Sequence, residues 1–183
     1  MYRVLAAVLL LSMTLAASGF KERYSANLVR MYGPSRTRTT MLTIGIDELT
    51  SDEELKTLHD LLGKEGPDAV KKHLWSVEKG ALFTTNSLAV PLCFVRVEDK
   101  PGGKGRRIIG ISARRIAFRE TWHQTRSLEY PWSVVVLDLD ANGRGTGQLM
   151  EAAKIEMADS GKVEVTYNTI QPARLQNVRR SGK

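Results

Sequence analysis

Pro131-Trp132-Ser133-Val134-Val135-Val136-Leu137-Asp138-Leu139-Asp140, followed by Ala141-Asn142-Gly143-Arg144-Gly145-Thr146-Gly147, is the stretch that decides the fold. Three consecutive valines and a Leu-x-Leu alternation predict a central strand, because branched side chains suit a pleated, half-buried surface. Pro131 opens the strand, where a missing N–H costs least, and Asn142-Gly143 closes it with turn chemistry. The register follows from polarity. A two-residue turn at Asn142-Gly143 would set Leu137 opposite Gln148, an apolar–polar mismatch. A three-residue loop, Ala141-Asn142-Gly143, sets Val135 opposite Leu149 and Asp140 opposite Arg144, with Gly143 in the left-handed conformation. The second pairing is the one predicted.

Working downstream, Asp159-Ser160-Gly161 is expected to be another three-residue loop, pairing Met157 with Val163, Ile155 with Val165 and Ala153 with Tyr167. A short final strand is expected near Ala173 to Val178. Upstream, Val90 to Glu98 and Arg106 to Ala113 read as strands joined by the turn-rich loop 99–105. Arg115 to Glu120 reads as a short strand and Thr121 to Tyr130 as a polar loop. Before these lie two helices. Ser51 and Glu54 form a capping box, Leu55, Leu58 and Leu62 follow at helical spacing, and Gly63 is the expected stop. Gly66-Pro67 starts the second helix, whose stripe is Val70, Leu74 and Val77, and Gly80 closes it. Thr39 to Asp47 reads as the first strand. Residues 20–38 carry Lys21, Arg23, Arg30, Arg36 and Arg38 around Gly33-Pro34 and read as a basic flexible lead-in. The predicted fold class is therefore α+β: an antiparallel sheet of about six to eight strands with a two-helix hairpin inserted after the first strand. Residues 39–180 would form that single domain.

Three segments stand together in order: the capping box after a strand, Glu129-Tyr130-Pro131-Trp132 entering the central strand, and Tyr167 to Arg179 with Pro172-Ala173-Arg174-Leu175 and Asn177-Val178-Arg179. Behind a signal-like N-terminus, they resemble a family of uncharacterised secreted bacterial proteins. The resemblance implies a secreted β-rich domain and carries no catalytic role with it.

Met1-Tyr2-Arg3 is a short basic opening, Val4 to Leu15 is an apolar run, and Ala16-Ala17-Ser18-Gly19 supplies small residues for cleavage. Residues 1–19 read as a secretory signal peptide, too short to span a membrane comfortably. This points to a secreted or periplasmic protein with no transmembrane segment once the signal is removed. Only one of the 27 basic residues, Arg3, precedes the expected cleavage point, so the rest of the chain stays basic against 20 acidic residues. Cys93 is the single cysteine, which rules out an internal disulfide; within Leu92-Cys93-Phe94-Val95 it reads as a small buried hydrophobe.

The motifs that invite a chemical reading are mostly turn chemistry. Asp138-Leu139-Asp140-Ala141-Asn142-Gly143 matches the first half of a calcium loop, but the twelfth position is Leu149 and the flanks are strands. Gly143-x-Gly145-x-Gly147 lacks the lysine and the following helix of a phosphate loop, so glycines opposite bulky leucines explain it better. His59 and His73 border the helical stripes and His123 stands apart, which is not a zinc set. No metal and no cofactor is expected.

Charge is more informative. Lys100, Lys104, Arg106, Arg107, Arg114, Arg115, Arg119 and Arg126 face a single acid, Glu120, between positions 100 and 126. Residues 47–68 carry the opposite bias, with Asp47, Glu48, Asp52, Glu53, Glu54, Asp60, Glu65 and Asp68 against Lys56 and Lys64. The expectation is a non-enzymatic binding or interaction domain whose basic surface takes an anionic extracellular or envelope component. Lys100, Lys104, Arg106, Arg107, Arg119 and Arg126 are its candidate anion-binding residues. Export disfavours nucleic acid as the partner. The alternative is a secreted hydrolase with a polar site on loops 99–105 and 121–132; no catalytic residue can be named for it.

Overall fold

The computed structural model describes residues 20–31, 36–85, 87–114, 116, 132–157, 163–167 and 172–181. Its elements in chain order are β1 (Glu22–Met31), β2 (Thr37–Ile46), α1 (Asp52–Glu65), α2 (Pro67–Leu74), β3 (Gly80–Thr84), β4 (Val90–Leu92), β5 (Phe94–Asp99), β6 (Arg106–Ser112), β7 (Trp132–Leu139), β8 (Arg144–Met157), β9 (Val163–Tyr167) and β10 (Ala173–Arg180). The strands form one antiparallel sheet in the order β4-β3-β2-β1-β10-β8-β7-β6-β5, with β9 added to β8.

This overturns the expected α+β class. Ten strands, not six to eight, curl into a nearly closed barrel, and the helical hairpin follows the second strand rather than the first. Two readings account for the error. Residues 22–31 are β1, not an irregular lead-in: Tyr24, Ala26, Leu28 and Arg30 point inward at strand spacing, and Arg30 is paired with Glu151 inside the barrel wall. The single strand expected over Val90 to Glu98 divides at Cys93 into β4 and β5. Its first half pairs with β3 and its second half with β6, so one run of chain joins the two ends of the sheet. A sheet that meets itself in this way has few exposed edges.

The seam is completed by loops rather than by a strand. Lys79 donates its N–H to Leu92 at 2.7 Å, and its carbonyl accepts from Asp47 and Glu48 at 2.8 and 3.0 Å. Thr50 caps the free edge of β5, donating its N–H to the Val95 carbonyl at 2.8 Å and accepting the Val95 N–H on Oγ1 at 3.0 Å.

Two apolar layers follow from the alternation. Inside lie Tyr24, Leu28, Leu42, Ile44, Leu82, Leu92, Val95, Ile108, Val135, Leu137, Leu139, Leu149, Leu175 and Val178. Small barrels are narrow enough for such side chains to fill them. Exposed outward positions elsewhere include Arg23, Thr37, Thr39, Arg174 and Arg179. On the outer face of β5 to β8, Phe94, Ile109, Ile111, Val134 and Met150 are covered by Leu55, Leu58, Val70 and Leu74 of the two helices. This is why Val134 to Val136 are apolar without interruption: that part of the wall is covered on both sides. The capping box of α1 is present, with Ser51 and Glu54 reciprocally bonded at 2.8 and 3.1 Å. The helix passes Gly63 and stops at Gly66, whose φ of 85° breaks it before Pro67 starts α2.

The predicted hairpin registers hold. Val135 opposes Leu149, and Ala153, Ile155 and Met157 oppose Tyr167, Val165 and Val163. The expected loop 159–161 lies outside the described residues. Gly143 has φ 71°, and a side chain there would also press on Cβ of Arg180 at 3.2 Å. Gly147 lies flat against Leu137, where an added Cβ would meet the Val136 carbonyl at 2.4 Å. Gly143→Val is therefore expected to cost about 1–3 kcal/mol. Leu149→Asp is expected to cost more, because it puts a carboxylate into the filled interior. Urea unfolding of the two variants checks the order; a Gly143→Val protein as stable as the parent would contradict the loop geometry.

Candidate functional site

All strand ends near residues 22, 99, 106, 139, 144 and 180 lie at one end of the barrel. Two hairpins rise around that mouth. The β5–β6 connection carries Lys100 and a single 3-10 turn at Pro101–Gly103, and the β7–β8 connection is the Asn142-Gly143 loop. Between them is a recess of about 720 Å³ whose lining includes Asp99, Lys100, Arg106, Asp140, Asn142 and Arg180. Below it the inward-facing ring of Tyr24 begins the apolar core, fully buried.

Register explains why these side chains meet. Tyr24 opposes Arg180 across β1 and β10, so Glu22, two residues before Tyr24, stands on the same inward face. Arg106 opposes Asp99 on one side and Leu139 on the other, which also turns it inward. The Arg106 guanidinium donates to both oxygens of Glu22, at 3.3 Å to Oε1 and 2.7 Å to Oε2. Arg180 approaches Glu22 Oε1 at 3.4 Å. The Tyr24 hydroxyl donates to Glu22 Oε2 at 2.5 Å and accepts from Arg106. One carboxylate thus serves two guanidinium groups.

A second cluster has the same proportions on the outer side of the wall. Arg107 opposes Asp138 and donates to it at 3.0 and 3.4 Å, while the Lys100 ammonium lies 3.4 Å from the same carboxylate. Each cluster retains one positive charge. Asp140 takes no part in this, because its Oδ1 accepts the N–H groups of Asn142 and Arg144 at 2.8 and 2.9 Å. The calcium-like spacing of Asp138 and Asp140 is therefore used for an ion pair and a loop cap.

The electrostatics are consistent with these contacts. Burial raises the Glu22 pKa, but the hydrogen bonds from Tyr24 and Arg106 and the charges of Arg106 and Arg180 outweigh it, leaving the carboxyl below its ordinary value. Asp138 is lowered in the same way against its own burial, by Arg107 and then Lys100. Burial and the neighbouring Glu22 push the Tyr24 phenol up to about 12.

Of the residues predicted from sequence, Lys100 and Arg106 line the recess, Lys104 is exposed on the hairpin beside it, and Arg107 lies on the outer cluster. Arg119 and Arg126 lie outside the described residues, as does the loop 121–131. Arg114 turns away and stacks over Trp75 at 5.3 Å from the ring centre. The count of eight bases against one acid overlooked Glu22, Asp138 and Arg180, which are distant in sequence. Pairing Arg107 with Asp138 follows from the β6–β7 register; nothing local announces Glu22.

A separate cleft of about 300 Å³ between the helices and the seam is lined by Glu53, Glu54, His73, Lys79 and Cys93, among others. Lys79 is buried, yet bonds to Glu54 at 2.7 Å and Glu48 at 3.0 Å overcome that burial and raise its pKa. Cys93 donates to the Ile111 carbonyl at 3.3 Å, and burial pushes its thiol up to about 11, so it is a packing residue as expected. Among the described residues no group of three acidic, histidine or cysteine side chains could hold a metal ion.

No protein-family model, curated protein or solved structure matches this chain. No helix among the described residues is long and apolar enough to cross a membrane.

The mouth sets the pH dependence of stability. Glu22 and Asp138 have folded values below 4.5 and 3.8, so their contribution is complete above those values and is lost as pH falls through the folded ones. Tyr24 has a folded value above 10, so its contribution is complete below 10 and is lost as pH climbs towards 12. The alkaline loss should be on the order of 2 kcal/mol. Denaturant unfolding across pH checks both limbs. Tyr24→Phe should abolish the alkaline loss, and a variant that keeps it would show that Tyr24 is not its source.

Proposed function

We propose that this chain is an exported, non-enzymatic binding domain that captures an anionic extracellular or envelope component at the barrel mouth. The observation that carries the reading is the convergence of Lys100, Arg106 and Arg180 on one recess, where Arg106 and Arg180 share Glu22 and Lys100 and Arg107 share Asp138, with Asp99 and Asp140 also in the lining. Partly exposed ion pairs are individually weak, about 0.2–1 kcal/mol, so an incoming anion gives up little when it draws a cation from its internal partner. The lysine of the hairpin tip, Lys104, extends the positive rim. Export is supported by the basic, apolar and small-residue order of residues 1–19.

The test is elution from immobilised heparin across a salt series, because exposed charges are screened beyond about 10 Å at 0.1 M salt. Lys100→Glu with Arg180→Glu should elute at clearly lower salt than the parent. The control pair Lys64→Glu with Lys72→Glu changes net charge equally on the helical hairpin and should elute close to the parent. Equal displacement by both pairs would reduce the effect to net charge and overturn the assignment to the mouth.

A further inference from the structure

Glu22 is itself a carboxylate held in a receptor. Its two oxygens lie in the fork of Arg106, with Arg180 on Oε1 and the Tyr24 hydroxyl on Oε2. A guanidinium presents paired, coplanar N–H groups that match a planar carboxylate, and a bidentate contact of this kind fixes orientation as well as charge. Tyr24 is fully buried and cannot follow a departing partner, so the base of the cradle is rigid. Glu22 can leave. It is the first residue of β1, its side chain is 25% exposed, and Arg106 and Arg180 are 27% and 49% exposed. Two guanidinium groups on one carboxylate leave a positive charge whichever carboxylate sits between them.

We infer that Arg106, Arg180 and Tyr24 form a carboxylate-binding subsite that the chain fills with its own Glu22, and that a carboxylate of the ligand exchanges for Glu22 on binding. The inference rests on the anion-capture reading and narrows it: the ligand carries a free carboxylate, and Glu22 competes with it. The charged and titratable groups facing Glu22 are Tyr24 on its own strand, Arg106 on β6 and Arg180 on β10. Lys100 also lines the recess, but its ammonium lies 3.4 Å from Asp138, so a second acidic group on the same ligand would have to draw it from that carboxylate. An internal competitor lowers apparent affinity by the fraction of time that it leaves the site open, so one that is bound nine-tenths of the time costs about tenfold.

The experiment is calorimetric titration of the full chain with succinate, and separately with inorganic phosphate, at neutral pH and low salt. The proteins are the parent, Glu22→Ala and the isosteric Glu22→Gln. The expected result is succinate binding about tenfold tighter in both variants than in the parent, with succinate preferred to phosphate. Thermal melts should show succinate restoring stability to Glu22→Ala, and Glu22→Gln carries the comparison if the alanine variant folds poorly. Equal succinate affinity in parent and variants overturns the exchange while leaving anion capture standing. Phosphate bound more tightly than succinate in the variants overturns the carboxylate class. Failure of parent and variants to bind either anion removes both the subsite and the reading beneath it.

Discussion

The whole structure depends on the closure of the sheet at Cys93. Strand 90–99 cannot pair with β3 and β6 along its full length, so it divides. The Cys93 N–H donates to Ile111 at 2.8 Å as the chain passes from one neighbour to the other. Because the ends meet, inward residues of β1 to β8 and β10 bury one another. Because the closure is incomplete, residues 47–50 and Lys79 are drawn in to satisfy the backbone that β3 and β5 leave open. The ion pairs of Lys79 with Glu48 and Glu54 then tie the helical hairpin to that seam. The helices in turn make the outer face of β5 to β8 apolar.

The same closure dictates what happens at the mouth. Inward-facing positions continue past the last apolar layer, so Glu22, Arg106 and Arg180 lie over Tyr24 and must find partners there. A fold that needed only a polar lid could match each cation with its own carboxylate. Here two cations share Glu22 and two share Asp138. Both clusters stand beside the recess, whose lining also holds Asp99 and Asp140. This ties the proposed function to topology: β1, β6 and β10 bring together residues that no local motif connects.

Much of the sheet was legible in the sequence. The alternation around Val134 to Leu139, with Gly143 in the left-handed position of a three-residue loop, set the β7–β8 register, and the same polarity argument set β8–β9. The strand in 22–31 was obscured because its charged residues look like a tail. Yet Tyr24-x-Ala26-x-Leu28 has strand periodicity, and Arg30 is inward because Glu151 meets it there. Barrel closure was not legible, since nothing in Leu92-Cys93-Phe94 announces that one strand serves two neighbours. The basic segment was legible as composition and misleading as geometry. Arg106 and Arg107 point to opposite faces and acquire different carboxylates, and Arg114 is spent on Trp75. Half of the candidate site could be named from local sequence; the other half, Glu22, Tyr24 and Arg180, required the long-range register.

Whether anions bind at one place is decided by amide chemical-shift mapping during titration with a small dicarboxylate at low salt. Capture at the mouth should give saturable changes concentrated at residues 22–24, 99–106, 140–144 and 179–181, with the helical hairpin unmoved. Changes scattered over the basic residues of the whole surface, or centred on the hairpin and the Lys79 cleft, would contradict it.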